Sequence, residues 1–213
     1  MARRDTPEIN AGSMADIAFL LLIFFLVTTT MDVDTGISRK LPEKQPEDTE
    51  QPKLKEKNVF IVTVNRNNQI LAEGNKIMTV DKIRQEAMDF IDNGGGLGNP
   101  MKDPKTGEML PAAECDWCGG KKDPASSDHP NKAVISLESD RGTSYGTYIA
   151  VQNELVGAYT DLRNRLSKNL YGVSYEKLLK DAKNNSSNES LKEKIKNIKE
   201  KYPQIISEAE PKK

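Results

Sequence analysis

The chain has 213 residues, with 31 Lys+Arg against 32 Asp+Glu for a formal net charge of −1, and it is 36% hydrophobic and 30% charged. That balance describes a polar domain of modest size plus extras, and it argues against a nucleic-acid binder, which carries a basic excess to neutralise phosphates. One histidine and two cysteines exclude a His-rich metal enzyme and a multi-disulfide scaffold.

A polar stretch, 1–10, precedes a segment that the averages conceal. From Ala11 to Met31 there are 15 apolar residues in 21, and Asp16 is the only charge. At about 1.5 Å per residue a helix of that length spans roughly 31 Å, the thickness of a bilayer's hydrocarbon core, so 11–31 reads as one transmembrane helix. The alternative is a cleaved signal peptide with Ile17 to Val27 as its apolar core. Two features weigh against it. Asp5, Glu8, Asn10 and Asp16 separate Arg3 and Arg4 from that core, and Thr28-Thr29-Thr30 is a poor cleavage site. Lys and Arg flank the segment almost evenly, so the positive-inside rule leaves its orientation open.

A carboxylate inside a membrane helix is costly, about 2.5–3.5 kcal/mol at the centre by insertion scales. On a helical wheel Gly12, Asp16, Leu20, Ile23, Val27 and Thr30 share one stripe. Two readings of Asp16 stand: a headgroup-level residue that marks the end of the buried stretch, or a protonatable group facing a protein interior.

Pro7-Glu8-Ile9-Asn10, the membrane-entry Asp16, the Leu/Ile/Phe run and the Thr-rich exit together resemble the ExbD/TolR biopolymer-transport family, in the form found in Bacteroidota-type bacteria. The resemblance implies a single helix with a cytoplasmic N-terminus, seated in the pore of a pentameric ExbB/TolQ-like partner, with Asp16 carrying protons and the stripe facing the pore. It further implies an inner-membrane location, a periplasmic domain that forms a homodimer, and contact with a TonB-like protein or with peptidoglycan. The function implied is coupling of the proton motive force to TonB-dependent transport across the outer membrane.

From Asp32 to Asn58, 13 of 27 residues are charged and three are proline. Such a segment cannot bury a core, so 32–58 reads as a flexible linker reaching at most roughly 90 Å. From 59 to 213 the pattern is that of an α+β domain with two helices packed on one face of a β-sheet. Val59 to Val64 is a β-branched strand, followed by a hairpin into Gln69 to Ala72 and a short strand at Lys76 to Met78. Thr79 caps a helix with Ile83, Ala87, Phe90 and Ile91 on one face. Ala133 to Leu137 is another strand, and it leads to a long helix with Tyr148, Val151, Leu155, Tyr159, Leu162 and Leu166 at helical spacing. This order matches, less specifically, the periplasmic domain that the family resemblance implies.

Residues 93–130 hold seven Gly and five Pro with both cysteines, the Trp and the His, and read as an insertion. Cys115-Asp116-Trp117-Cys118 is a C-x-x-C with three readings: a disulfide stapling the loop, which leads; a metal clip with His129 or acidic neighbours; and a redox dithiol. Residues 180–213 read as a C-terminal helical extension. It contains an amphipathic helix through Leu191, Ile195, Ile198 and Tyr202, then a closing edge strand at Gln204 to Ser207 that could pair across a dimer or accept a partner's extended segment. No catalytic set, cofactor box or phosphate loop appears, so the expected protein is not an enzyme and carries no cofactor or metal. Besides the motor reading, two further functions fit the sequence: a TolR-like, membrane-tethered envelope-binding protein, and a tethered redox protein using Cys115 and Cys118.

Overall fold

A computed structural model describes residues 11–28, 54–73, 76–103, 106–185 and 187–209, which fall into two units, Met1–Gln51 and Pro52–Lys213. The first unit contains one helix, α1 (Ala11–Thr28, 18 residues). Its Leu, Ile, Phe and Ala residues are favourable or tolerated in a helix, and no proline interrupts them. At about 1.5 Å per residue it measures about 27 Å, less than the roughly 30 Å of a hydrocarbon core. The expected span of 11–31 is thus three residues longer than the observed helix, and Thr29 to Met31 lie outside the described residues. Among the described residues no helix is long and apolar enough to cross a membrane.

The second unit is an α+β domain on a mixed sheet. Strand β1 (Val59–Val64) alternates strictly, so Phe60, Val62 and Val64 point to one side and are fully buried. The chain reverses at Asn65, whose Oδ1 accepts from the backbone N–H groups of Asn67 and Gln69 at 2.9 Å each. Asn68 takes the left-handed conformation there, with φ 60°. Strands β2 (Ile70–Ala72) and β3 (Lys76–Met78) continue antiparallel. A later strand, β6 (Val134–Ser139), runs parallel to β1 and sets Ile135 beside Phe60 and Leu137 beside Val62. The final strand, β7 (Ile206–Ala209), lies parallel on the outer side of β6, giving the order β3-β2-β1-β6-β7.

Two helices cover the face that carries Phe60, Val62 and Val64. Helix α2 (Val80–Ile91) buries Ile83, Ala87, Phe90 and Ile91, and the Phe60 and Phe90 rings lie 5.2 Å apart. Helix α3 (Tyr145–Tyr171) starts where the Ser144 side chain accepts from Thr147 N–H and stops at Gly172, whose φ of 71° suits a glycine C-cap. It buries Val151, Leu155, Ala158, Tyr159, Leu162 and Leu166. The opposite sheet face leaves Ile61 and Ile77 exposed, at 42% and 68%.

Two boundaries differ from the sequence reading. Residues 56–58, read as the end of the linker, form a 3-10 turn, and Asn58 is buried. The C-terminal extension begins before 180: α4 (Tyr175–Asn184) and α5 (Glu189–Lys201) pair around Tyr175, Leu178 and Ile198. In α4, Tyr175 and Leu178 form an i, i+3 pair that buries against α5. Among the described residues the domain thus has the two expected helices on the sheet, α2 and α3, the expected helix of the extension, α5, and one more, α4. Arg163 of α3 joins this pair to the core by donating from Nε and Nη2 to the Tyr202 carbonyl, at 3.0 and 2.8 Å.

Candidate functional site

On α1 the 3.6-residue repeat places Gly12, Asp16, Leu20 and Ile23 on one stripe, and the helix backbone continues through Val27. Thr30 lies outside the described residues. Every described side chain from Ala11 to Leu26 is exposed, including those of Phe19, Leu22, Phe25 and Leu26 on the other faces. A helix that is apolar all round is one that other protein or lipid covers. Asp16 is the one charge on it.

In the domain, the chemistry-bearing residues gather where the segment 93–130, read above as an insertion, meets the helices. The insertion contains a small hairpin of β4 (Met101–Lys102) and β5 (Met109–Leu110), closed by a bridge between Leu97 and Glu114. Cys115 and Cys118 are joined in a disulfide, with their Cα atoms 5.5 Å apart. The sulfur bridge lies against Gly94, which has φ 66°; a Cβ there would come within 3.0 Å of the Cys118 Cβ. His129 is not a partner of the cysteines. It is buried edge-on to Trp117, with ring centroids 5.3 Å apart, and its Nδ1 accepts from Asn131 N–H at 3.2 Å. Burial pushes the imidazole below its ordinary value. Lys201 of α5 sits over the Trp117 ring, 3.6 Å from its centroid. Among the described residues no three His, Cys, Asp or Glu side chains converge as a metal site.

Two polar clusters were not legible in the sequence. In the first, the Asp92 carboxylate at the end of α2 receives the Tyr202 hydroxyl at 2.5 Å, Arg165 Nη2 at 2.6 Å and Gly119 N–H at 2.9 Å. Burial and then the neighbouring Asp92 push the Tyr202 hydroxyl well above its ordinary value. In the second, buried Asp128 meets the chain just before β1. Lys57 Nζ lies 2.5 Å from its carboxylate and Asn58 Nδ2 donates to it at 3.2 Å, while Asp128 N–H donates back to Asn58 Oδ1 at 2.8 Å. Burial alone would raise the Asp128 carboxyl, but the hydrogen bonds from Lys57 and Asn58 and the charges of Lys57 and Lys55 outweigh it and hold the group below the usual carboxylate range. A cleft of about 780 Å³ runs beside these clusters, lined among others by Val59, Phe90, Leu162, Asp123 and Arg165. Its walls carry fixed charge of both signs, from Glu86, Asp89 and Asp92 to Lys121 and Arg165.

Residues 2–166 match the sequence profile of a family described as biopolymer transport protein ExbD/TolR. None of the curated proteins matches the chain.

Proposed function

Because the chain belongs to the ExbD/TolR family of biopolymer transport proteins, we propose that it is the ExbD-like, non-enzymatic subunit of an inner-membrane motor that couples the proton motive force to TonB-dependent transport. Proteins of this family are inner-membrane anchored and serve energy transduction for biopolymer transport in complexes with ExbB/TolQ-type and TonB/TolA-type partners.

The observation that carries the proposal is α1, apolar on every described face with a single carboxylate at Asp16. Continued through Met31, the segment has the length of a bilayer span, with the N-terminus in the cytoplasm and the domain from Val59 in the periplasm. Within a pentameric ExbB-type pore the stripe of Gly12, Asp16, Leu20, Ile23, Val27 and Thr30 faces the channel lining. A carboxyl in such a setting is neutral where the surroundings are apolar and charged where water reaches it, so proton exchange at Asp16 alternates the charge on the helix. The membrane voltage supplies about 2.3 kcal/mol per charge per 100 mV, so a few protons per step outweigh most interface rearrangements. The resulting motion passes along residues 32–55 to the domain. The open sheet face, with Ile61 and Ile77 exposed, supports pairing of two copies there.

The test is isolation of the full chain from membranes together with its ExbB-type partner, followed by measurement of proton flow through the complex in vesicles. The proposal expects co-isolation and an Asp16-dependent flow. A chain that co-isolates with no such partner, or a flow indifferent to Asp16→Asn, contradicts it.

A further inference from the structure

Motion delivered along a tether is useful only if the tether's end is fastened to the part it must move. In this domain the last residues of the tether are gripped before they enter β1 at Val59. Lys55, Lys57 and Asn58 are first held by the far end of the insertion. Lys57 Nζ lies 2.5 Å from Asp128 Oδ1 and donates to the Pro124 carbonyl at 3.0 Å, and Lys55 Nζ lies 3.8 Å from Asp128 Oδ2. Asn58 and Asp128 exchange hydrogen bonds in both directions, at 2.8 and 3.2 Å, and both residues are buried.

The loop that supplies Asp128 is itself firmly anchored. Asn93, directly after α2, donates from Nδ2 to the carbonyls of Asp123 and Ser127 at 2.9 and 2.7 Å, and its Oδ1 accepts from Asp123 N–H at 2.9 Å. Gly95 and Gly96 N–H groups bond the carbonyls of Ser127 and Asp128 at 3.1 and 2.8 Å. Next to Asn93, Asp92 binds Arg165 of α3 and Tyr202 after α5. A continuous set of buried or charge-assisted bonds therefore links the tether's last residues to the end of α2, to α3 and to the C-terminal segment, in addition to the covalent run into β1.

We propose that Asp128 is a clasp that fastens the membrane tether to the insertion, so that displacement of the tether moves the insertion and the helices together with the sheet. Asp128 is then a positioning residue for energy transduction, and the insertion's role is to grip the tether. The proposal rests on the motor reading of α1. It uses chemistry that the charge pattern of 32–58 hides, since Lys55 and Lys57 look like solvated linker residues.

The experiment uses the full chain in its membrane complex, with Asp128→Ala and, because removal of a buried carboxylate can disturb folding, Lys57→Met as a second variant. Hydrogen exchange, proton flow and energised uptake are measured on each. Both variants are expected to speed exchange at Asn58 and Asp128 N–H by about tenfold while leaving β1 and β6 amides protected. They are expected to cut uptake several-fold, with complex assembly and proton flow unchanged. In the Asp128→Ala background, a short thiol-reactive bridge between Lys57→Cys and Pro124→Cys is expected to restore uptake, which a merely structural role for Asp128 would not produce. Unchanged exchange in both variants overturns the clasp, as does wild-type uptake once exchange shows it open. Failure of the motor reading looks different: it leaves uptake normal in Asp16→Asn, whereas failure of the clasp alone leaves uptake normal in Asp128→Ala and lost in Asp16→Asn.

Discussion

The Tyr202 hydroxyl donates to Asp92 Oδ1 at 2.5 Å, a bond between residues 110 positions apart that joins the end of α2 to the residue after α5. Arg165 reaches both partners, Asp92 Oδ2 at 2.6 Å and the Tyr202 oxygen at 3.1 Å. Tyr202→Phe keeps the ring in the core and removes one bond to a buried carboxylate. The expected loss is about 1–3 kcal/mol of stability, read by urea unfolding of the full chain; an unchanged midpoint and slope would show that the bond contributes nothing net.

Deletion from Tyr202 onward is expected to do much more. Tyr202 is fully buried in the main core, and β7 supplies the outer neighbour of β6. Loss of a buried aromatic alone costs about 3–5 kcal/mol, so a chain ending at Lys201 is expected to melt far below wild type or to be degraded. The family match stops at 166, yet the residues beyond it complete the same core. Wild-type melting of that truncation would show the C-terminal segment to be an appendage.

The disulfide closes a ring of only four residues, for which the chain-entropy estimate is about 2 kcal/mol. A Cys115→Ser, Cys118→Ser double variant is therefore expected to fold, with a modest drop in melting temperature and a changed Trp117 fluorescence, because Trp117 lies between the two cysteines and packs on His129 and Lys201. If this variant lost energised uptake while keeping its fold, the tethered redox reading would regain ground.

Two acid steps are expected in stability against pH. His129 is held below its ordinary value of 6.5, so its contribution is complete above about 6.5 and is lost as pH falls through the lower, folded value. Asp128 is held below 3.8, so the clasp's contribution persists down to about that pH and is lost below it. Since the chain has one histidine, the first step can be assigned by repeating the urea titration on His129→Gln. A wild-type curve with the same slope as the variant between pH 7 and 5 would contradict it.

Much of the scaffold was readable because it is local. The β-branched run Val59 to Val64, the Ile83, Ala87, Phe90 and Ile91 face, and the stripe from Val151 to Leu166 each declare themselves within a few residues. The edge strand after Pro203 was also visible, although placed at 204–207 where the structure has Ile206–Ala209. The clusters around Asp92 and Asp128 were not, since each depends on partners 70 or more positions away. A charged residue in a polar stretch carries no mark of the partner that will bury it. Tyr175 and Leu178 were passed over for a related reason: a few apolar positions in a lysine-rich helix define a face only once a second helix covers them.

The central claim is that Asp16 does the energetic work of the complex. Its most direct test is energised uptake in cells whose only copy carries Asp16→Asn, with membrane insertion and complex assembly measured in the same cells. The account predicts wild-type insertion and assembly with uptake abolished. Normal uptake in the assembled variant would contradict it.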